Sequence, residues 1–131
     1  MRFIPRVVLA LMMLMNFGRG FIHAFAPDGG AGSIAGLDLS NARQTILSLF
    51  AVMGFHQLVA SGFQLYVLAF RRELVLLALV LQTMETLFGV VNLCFYRTLP
   101  VAVPGKPFNA AVLGLLAIAL LVAAREKLHG A

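Results

Sequence analysis

Residues 74–96 read LVLLALVLQTMETLFGVVNLCFY, and this stretch decides the fold. It runs 23 residues, and Glu85 is its one charged side chain. About 20 apolar residues carry a helix across a bilayer, with a range of about 17–25. Three further runs of that kind lie at 7–25, 46–70 and 108–124, the last being the shortest. Strands are excluded, because so few segments cannot close a barrel and lipid leaves no backbone group unpaired. The expected fold is all-α: one integral membrane four-helix bundle over residues 1–131, with an external loop at 26–43.

Composition agrees. Hydrophobic residues make up 61% of the 131 residues and charged ones 11%, against about 25% charged in a soluble domain. A soluble chain of this length could not bury so much apolar side chain, so the lipid bilayer is its solvent. The net charge is +5, yet the ten Lys and Arg residues lie mostly at the ends of apolar runs and make no basic face, so nucleic acid is not expected as a partner. Cys94 is the single cysteine, which excludes an internal disulfide, a CxxC motif and a cysteine zinc site; packing is its reading.

The connections refine the picture. Arg71, Arg72 and Glu73 alone separate the second and third runs, which predicts a tight antiparallel hairpin. Pro100, Pro104 and Pro107 divide the third from the fourth, with Pro107 suited to a first helical turn. Ser40 or Asn41 is the expected N-cap of the second helix. With the N-terminus inside, one side holds Arg2, Arg6, Arg71, Arg72, Arg125 and Lys127 and the other Arg43, Arg97 and Lys106, which favours both ends in the cytoplasm. Arg2, Arg6, the run at 7–17 and Ala24-Phe25-Ala26 also fit a signal peptide, but Arg19, His23 and Pro27 sit badly around such a cut.

Gly30-Ala31-Gly32-Ser33-Ile34-Ala35 matches G-x-G-x-x-A, a motif that cradles a pyrophosphate only between a strand and a helix. Between two membrane spans it reads as a flexible or partly re-entrant external loop. The histidines invite a haem reading, but His23 near a helix end and His56 near a helix middle are expected to differ by about 10 Å in depth. Neither cofactor nor metal is expected. Met12, Met13 and Met15 read as adaptable packing. Ala110, Gly114, Ala119 and Ala123 carry the small-residue spacing of close helix contacts.

The polar residues inside the spans are the candidate functional cluster, for ligand, proton or structure: Asn16, Arg19, His23, His56, Gln57, Gln64, Gln82, Glu85 and Asn92. Gln82, Glu85, Gly89, Asn92 and Tyr96 fall within an arc of about 80° on the third helix, and Asn16, Arg19 and His23 within about 60° on the first. On the second helix Gln57, Ser61 and Gln64 share a face with Gly54, and His56 flanks it. Arg19 and Glu85 are expected at the same depth and as a pair, because an isolated charge at the bilayer centre costs about 2.5 kcal/mol or more.

Gly18 and Gly20 near the end of the first helix, Pro27, the loop ending Gly36-Leu37-Asp38-Leu39-Ser40, and Gly54 resemble the DoxX-like group of small four-helix bacterial inner-membrane proteins. The resemblance covers the first half of the chain. It implies the fold, a cytoplasmic (inner) membrane location and an accessory role beside a membrane redox system. With no nucleophile–base pair or metal set at readable spacing, the expected function is non-enzymatic: an accessory or assembly subunit of a larger membrane complex. The alternative is a small homo-oligomeric transporter or proton-coupled carrier that titrates Glu85.

Overall fold

The computed structural model describes residues 3–98 and 102–129, and the side chains of Lys127 and His129 lie outside the description, as does Pro100. Four α-helices follow in order: α1 (Phe3–Phe25), α2 (Arg43–Phe70), α3 (Val75–Val91) and α4 (Gly105–His129). A 3₁₀ turn, Arg72–Leu74, leads into α3, and a π-helical turn, Asn92–Tyr96, ends it. Four helical segments, Phe3–Phe25, Arg43–Phe70, Arg72–Tyr96 and Gly105–Glu126, are each long and apolar enough to cross a membrane. They begin a few residues ahead of the apolar runs. Arg6, Arg43, Arg72 and Lys106 occupy those first turns, where long cationic side chains can reach the interface.

Each helix buries one stripe at three- and four-residue spacing. On α1 the stripe is Pro5, Val8, Leu9, Met12, Asn16 and Gly20; on α2 it is Gly54, Gln57, Ser61, Gln64 and Val67. Val75, Ala78, Leu79 and Gln82 form it on α3, and Val112, Leu116, Ala119 and Ala123 on α4. Leu9, Val67, Val75, Leu79, Leu116 and Ala119 are wholly buried and form the apolar core. That core occupies the half of the bundle at the 3₁₀ turn. Nearly all the large apolar side chains elsewhere face outward, as a lipid solvent allows. The small-residue expectation on α4 holds for Ala119 and Ala123, whereas Ala110 and Gly114 are exposed.

Consecutive helices do not pair equally. The most extensive contact is between α1 and α2, followed by α3 with α4. The α2–α3 connection is as short as expected, with the exposed Arg71 and Glu73 joined in an ion pair, but the two helices touch sparingly and form no tight hairpin. The cause is the α1–α2 contact. A Cβ built on Gly54 would lie 2.6 Å from the Ala24 nitrogen and 2.7 Å from the Gly20 oxygen, so the two backbones meet where no side chain fits. α2 is committed to α1 there, and α3 leans on α4.

The long connection is folded, not loose. Asp28 accepts hydrogen bonds from the Gly30 amide (2.9 Å), the Ser33 amide (2.6 Å) and the Ser33 hydroxyl (3.2 Å). Gly29 and Gly30 stand at φ 60° and 75°, a region L-residues avoid. Ala31 is completely buried, so the loop folds back on the bundle. Asp28 thus takes two amides of the G-x-G-x-x-A stretch, those of Gly30 and Ser33. The expected cap of α2 is corrected: Ala42, in a left-handed conformation at φ 56°, precedes the helix without a side-chain cap. Ser40 is unavailable because its amide and hydroxyl both donate to Asp38, and the Asn41 amide is turned toward the Ser40 oxygen.

Candidate functional site

Three amides close the middle of the bundle. Asn16 of α1 donates from Nδ2 to Gln82 Oε1 on α3 (2.7 Å), and Gln64 Nε2 of α2 donates to the same oxygen (2.6 Å). Asn16 Nδ2 also reaches Gln64 Oε1 at 3.3 Å. Gln82 Nε2 extends the chain to Thr86 Oγ1 (3.3 Å), whose hydroxyl donates back to the Gln82 carbonyl (2.9 Å). All three amides are buried. The Gln82 carbonyl has two lone pairs and receives one strong donor from each of two other helices, so the triad ties α1, α2 and α3 at one level. Interhelical bonds of this kind contribute about 0.6–2 kcal/mol each in lipid.

The triad also fixes depth. Asn16 and Gln82 are level, and Arg19 and Glu85 each lie three residues farther on in the same direction, so the expectation that they share a depth holds. The expected pair does not form. Arg19 Nη1 donates instead to Asn109 Oδ1 on α4 (3.2 Å), and no ion pair joins it to Glu85, although the two interact electrostatically. The reason is rotation: Arg19 turns to the α1–α4 side, whereas Glu85 is exposed at the edge of α3, where His56 of α2 is its other electrostatic neighbour. Neither the Glu85 nor the His56 side chain makes a hydrogen bond among the described residues.

Of the arc on α3, Gln82 alone is buried; Glu85, Asn92 and Tyr96 are exposed and Gly89 is half-buried. Asn92 opens the π turn, where its carbonyl accepts the Arg97 amide at 2.8 Å, and it lies away from the triad. The face expected on α2 is observed: Gly54, Gln57, Ser61 and Gln64 are buried and His56 is exposed beside them. Ser61 donates to the Leu58 carbonyl at 3.0 Å. Gln57 is different, for its Oε1 is buried with no hydrogen-bond partner.

The two histidines lie closer in depth than expected. The backbone of His23 lies against Gly54, so His56, two residues on, differs from it by about 3 Å in depth and not 10 Å. Direction separates the rings: His23 Nδ1 bonds the Gly29 carbonyl (2.7 Å) and its ring meets Phe50 edge-on, while His56 is exposed near Glu85. Among the described residues no three His, Cys, Asp or Glu side chains come together as a metal site. Cys94 is a free thiol, half-buried.

The bundle therefore has a closed polar layer and, on its loop side, an open seam between α2 and α3. No family model matches the chain, and comparison with curated proteins and with solved structures gives no match. The site is read from its own chemistry. Asn109 and Thr86 are the partners missing from the sequence-derived cluster. Both share a simple signal, a polar side chain within one helical turn of the depth of Arg19 or Gln82.

Proposed function

We propose that this chain is a non-enzymatic subunit of a larger membrane complex, an accessory or assembly protein that docks through the open seam between α2 and α3. The observation that carries the reading is the pair Glu85 and His56. Both sit on membrane-spanning helices, both are exposed, and neither side chain has a hydrogen-bond partner among the described residues. A charged group facing hydrocarbon costs about 2.5 kcal/mol or more near the bilayer centre. A helix of a second protein laid along the seam would supply the missing partners. The closed amide triad supports the same reading, because its donors are spent on one another and leave a tie between helices. The DoxX-like features of the first half, a bacterial cytoplasmic membrane and both ends inside belong to this proposal.

The test is isolation in mild detergent followed by mass spectrometry. The wild-type chain should carry a larger complex with it. Glu85→Leu and His56→Leu should fold yet come away alone. A symmetric homo-oligomer without foreign subunits would favour the second reading, a carrier that titrates Glu85, which that residue's exposure also permits; Glu85→Gln would then abolish transport. Orientation is checked by a reporter active only outside the cytoplasm, which should work after Ser33 or Val103 and stay silent after Arg72 or at the C-terminus.

A further inference from the structure

A cleft of about 230 Å³ opens at the loop end of the bundle, between the last turn of α1, the start of the loop and the first turns of α2. It is distinct from the seam. Its hydrogen-bonding side chains are His23, Gln44 and Ser48, and Ala24, Ala26 and Ala51 are small enough to leave it open. Gln44 and Ser48 are four residues apart and so share a helix face. Neither side chain makes an intramolecular hydrogen bond among the described residues.

His23 is set by its partner. A carbonyl only accepts, so Nδ1, 2.7 Å from the Gly29 oxygen, carries a proton, and Nε2 is the ring nitrogen that can accept. Phe50 meets the ring edge-on. The cleft is thus lined by three side chains that can accept: His23 through Nε2, Ser48 through Oγ and Gln44 through Oε1. No cationic side chain lines it, and the nearby Asp28 is occupied by Gly30 and Ser33. The α1 C-terminus adds partial negative charge from its last carbonyls. Arg43, one residue before Gln44 at the start of α2, is exposed.

We infer that this cleft binds a primary ammonium group, and that its source is the headgroup of an ethanolamine phospholipid. A primary ammonium has three N–H donors and no acceptor, which matches three acceptor side chains. The cleft lies at the ends of two membrane-spanning helices, the level of lipid headgroups, and Arg43 can meet the phosphodiester that accompanies the ammonium.

The experiment compares lipids that differ only in the nitrogen. Full-length protein is placed in nanodiscs that mix phosphatidylethanolamine and phosphatidylcholine with identical chains, and bound lipid is read by native mass spectrometry. Choline keeps the phosphate but has no N–H. The expected result is a preference for phosphatidylethanolamine of about tenfold, reduced about fivefold by Ser48→Ala or Gln44→Leu. Both side chains are exposed, so an unchanged melting temperature should accompany the loss, and Thr45→Ala should retain the preference. Equal binding of the two lipids, or a preference untouched by both variants, overturns the inference. Free ethanolamine provides the second arm. If it fails to displace the lipid, the whole headgroup is recognised, as inferred; if it displaces the lipid fully, the ammonium assignment stands and the lipid source is overturned.

Discussion

Between the 3₁₀ turn and Asn16 the four helices enclose Leu9, Val67, Val75, Leu79 and Leu116 without exposing any of them. Between Asn16 and the loop, the same helices leave Glu85 and His56 on the surface and bury a Gln57 oxygen with no partner. The difference does not lie in apolar content, because lipid solvates an apolar side chain about as well as a neighbouring helix does. It lies in what holds the backbones together. The turn half has interdigitating side chains from all four helices. The loop half has one tight contact, α1 on α2 at Gly20 and Gly54, and α3 is free to diverge from α2. A bundle built this way is closed in its turn half and open in its loop half.

The most damaging change should be Gly54→Val. Even a Cβ there is closer to the Ala24 nitrogen and the Gly20 oxygen than side chains tolerate, and both obstacles are backbone. The loss should reach about 3 kcal/mol or more, the upper end for overpacking. Unfolding in detergent measures it, and wild-type stability would mean that the α1–α2 contact does not organise the loop half. Gly62→Ala is the control on the same helix, since nothing lies near its Cβ position.

Next comes Gln82→Leu. It removes the oxygen that receives both Asn16 and Gln64 and leaves two buried amide groups short of an acceptor. The expected cost is about 1–3 kcal/mol. Gln64→Leu in the Gln82→Leu background should cost less than it does alone, because the partner is already missing. Additive losses would show that the triad is not a unit. By contrast, Glu85→Leu, one turn away on the same helix, should leave unfolding within about 0.5 kcal/mol, as for a surface position. That contrast between neighbours tests the division into closed and open halves.

Much of this was legible. The four spans follow from apolar run length, and the buried face of α2 follows from the three- and four-residue spacing of Gly54, Gln57, Ser61 and Gln64. The common depth of Arg19 and Glu85 follows from parallel α1 and α3. Rotation about the helix axis does not follow. A soluble helix marks its inner face by contrast with a polar outer one, but α3 is apolar nearly all round. Its polar arc of about 80° holds both Gln82 and Glu85, which lie about 60° apart, and nothing in the pattern says which edge points inward. The α2 cap was illegible for a different reason. Ser40 and Asn41 are good cap types, but Asp38, two residues back, claims the Ser40 side chain. The depth of His56 could not be read because it depends on how far α2 extends past the end of α1.

A smaller effect is expected from the Arg19–Glu85 cycle. The two residues feel each other electrostatically without a direct bond, and Arg19 is held by Asn109. Coupling between Arg19→Leu and Glu85→Leu should fall below about 0.5 kcal/mol, the range for sites without shared contacts. Asn109→Ala and Arg19→Leu should be coupled more strongly. A large Arg19–Glu85 coupling would mean that the seam closes on itself in a bilayer and needs no partner.

The smallest effect belongs to the loop, outside the membrane. Three donors from Gly30 and Ser33 hold the Asp28 carboxyl down to about 2 from an ordinary 3.8. A depressed carboxyl stabilises the folded loop fully above its ordinary value, and that contribution fades as pH falls from 3.8 toward 2. Protection of the Gly30 and Ser33 amides from hydrogen exchange should therefore be flat from neutral pH to near 4 and fall across that window. Asp28→Asn keeps the shape but carries no charge, so its protection should be weaker throughout and nearly independent of pH. If the wild-type loop kept full protection below pH 2, the carboxylate would not be what orders it. The bundle itself should hardly respond, because Asp28 touches none of the amide triad. A melting temperature that fell with loop protection would instead tie the loop to the α1–α2 contact that Gly54 makes.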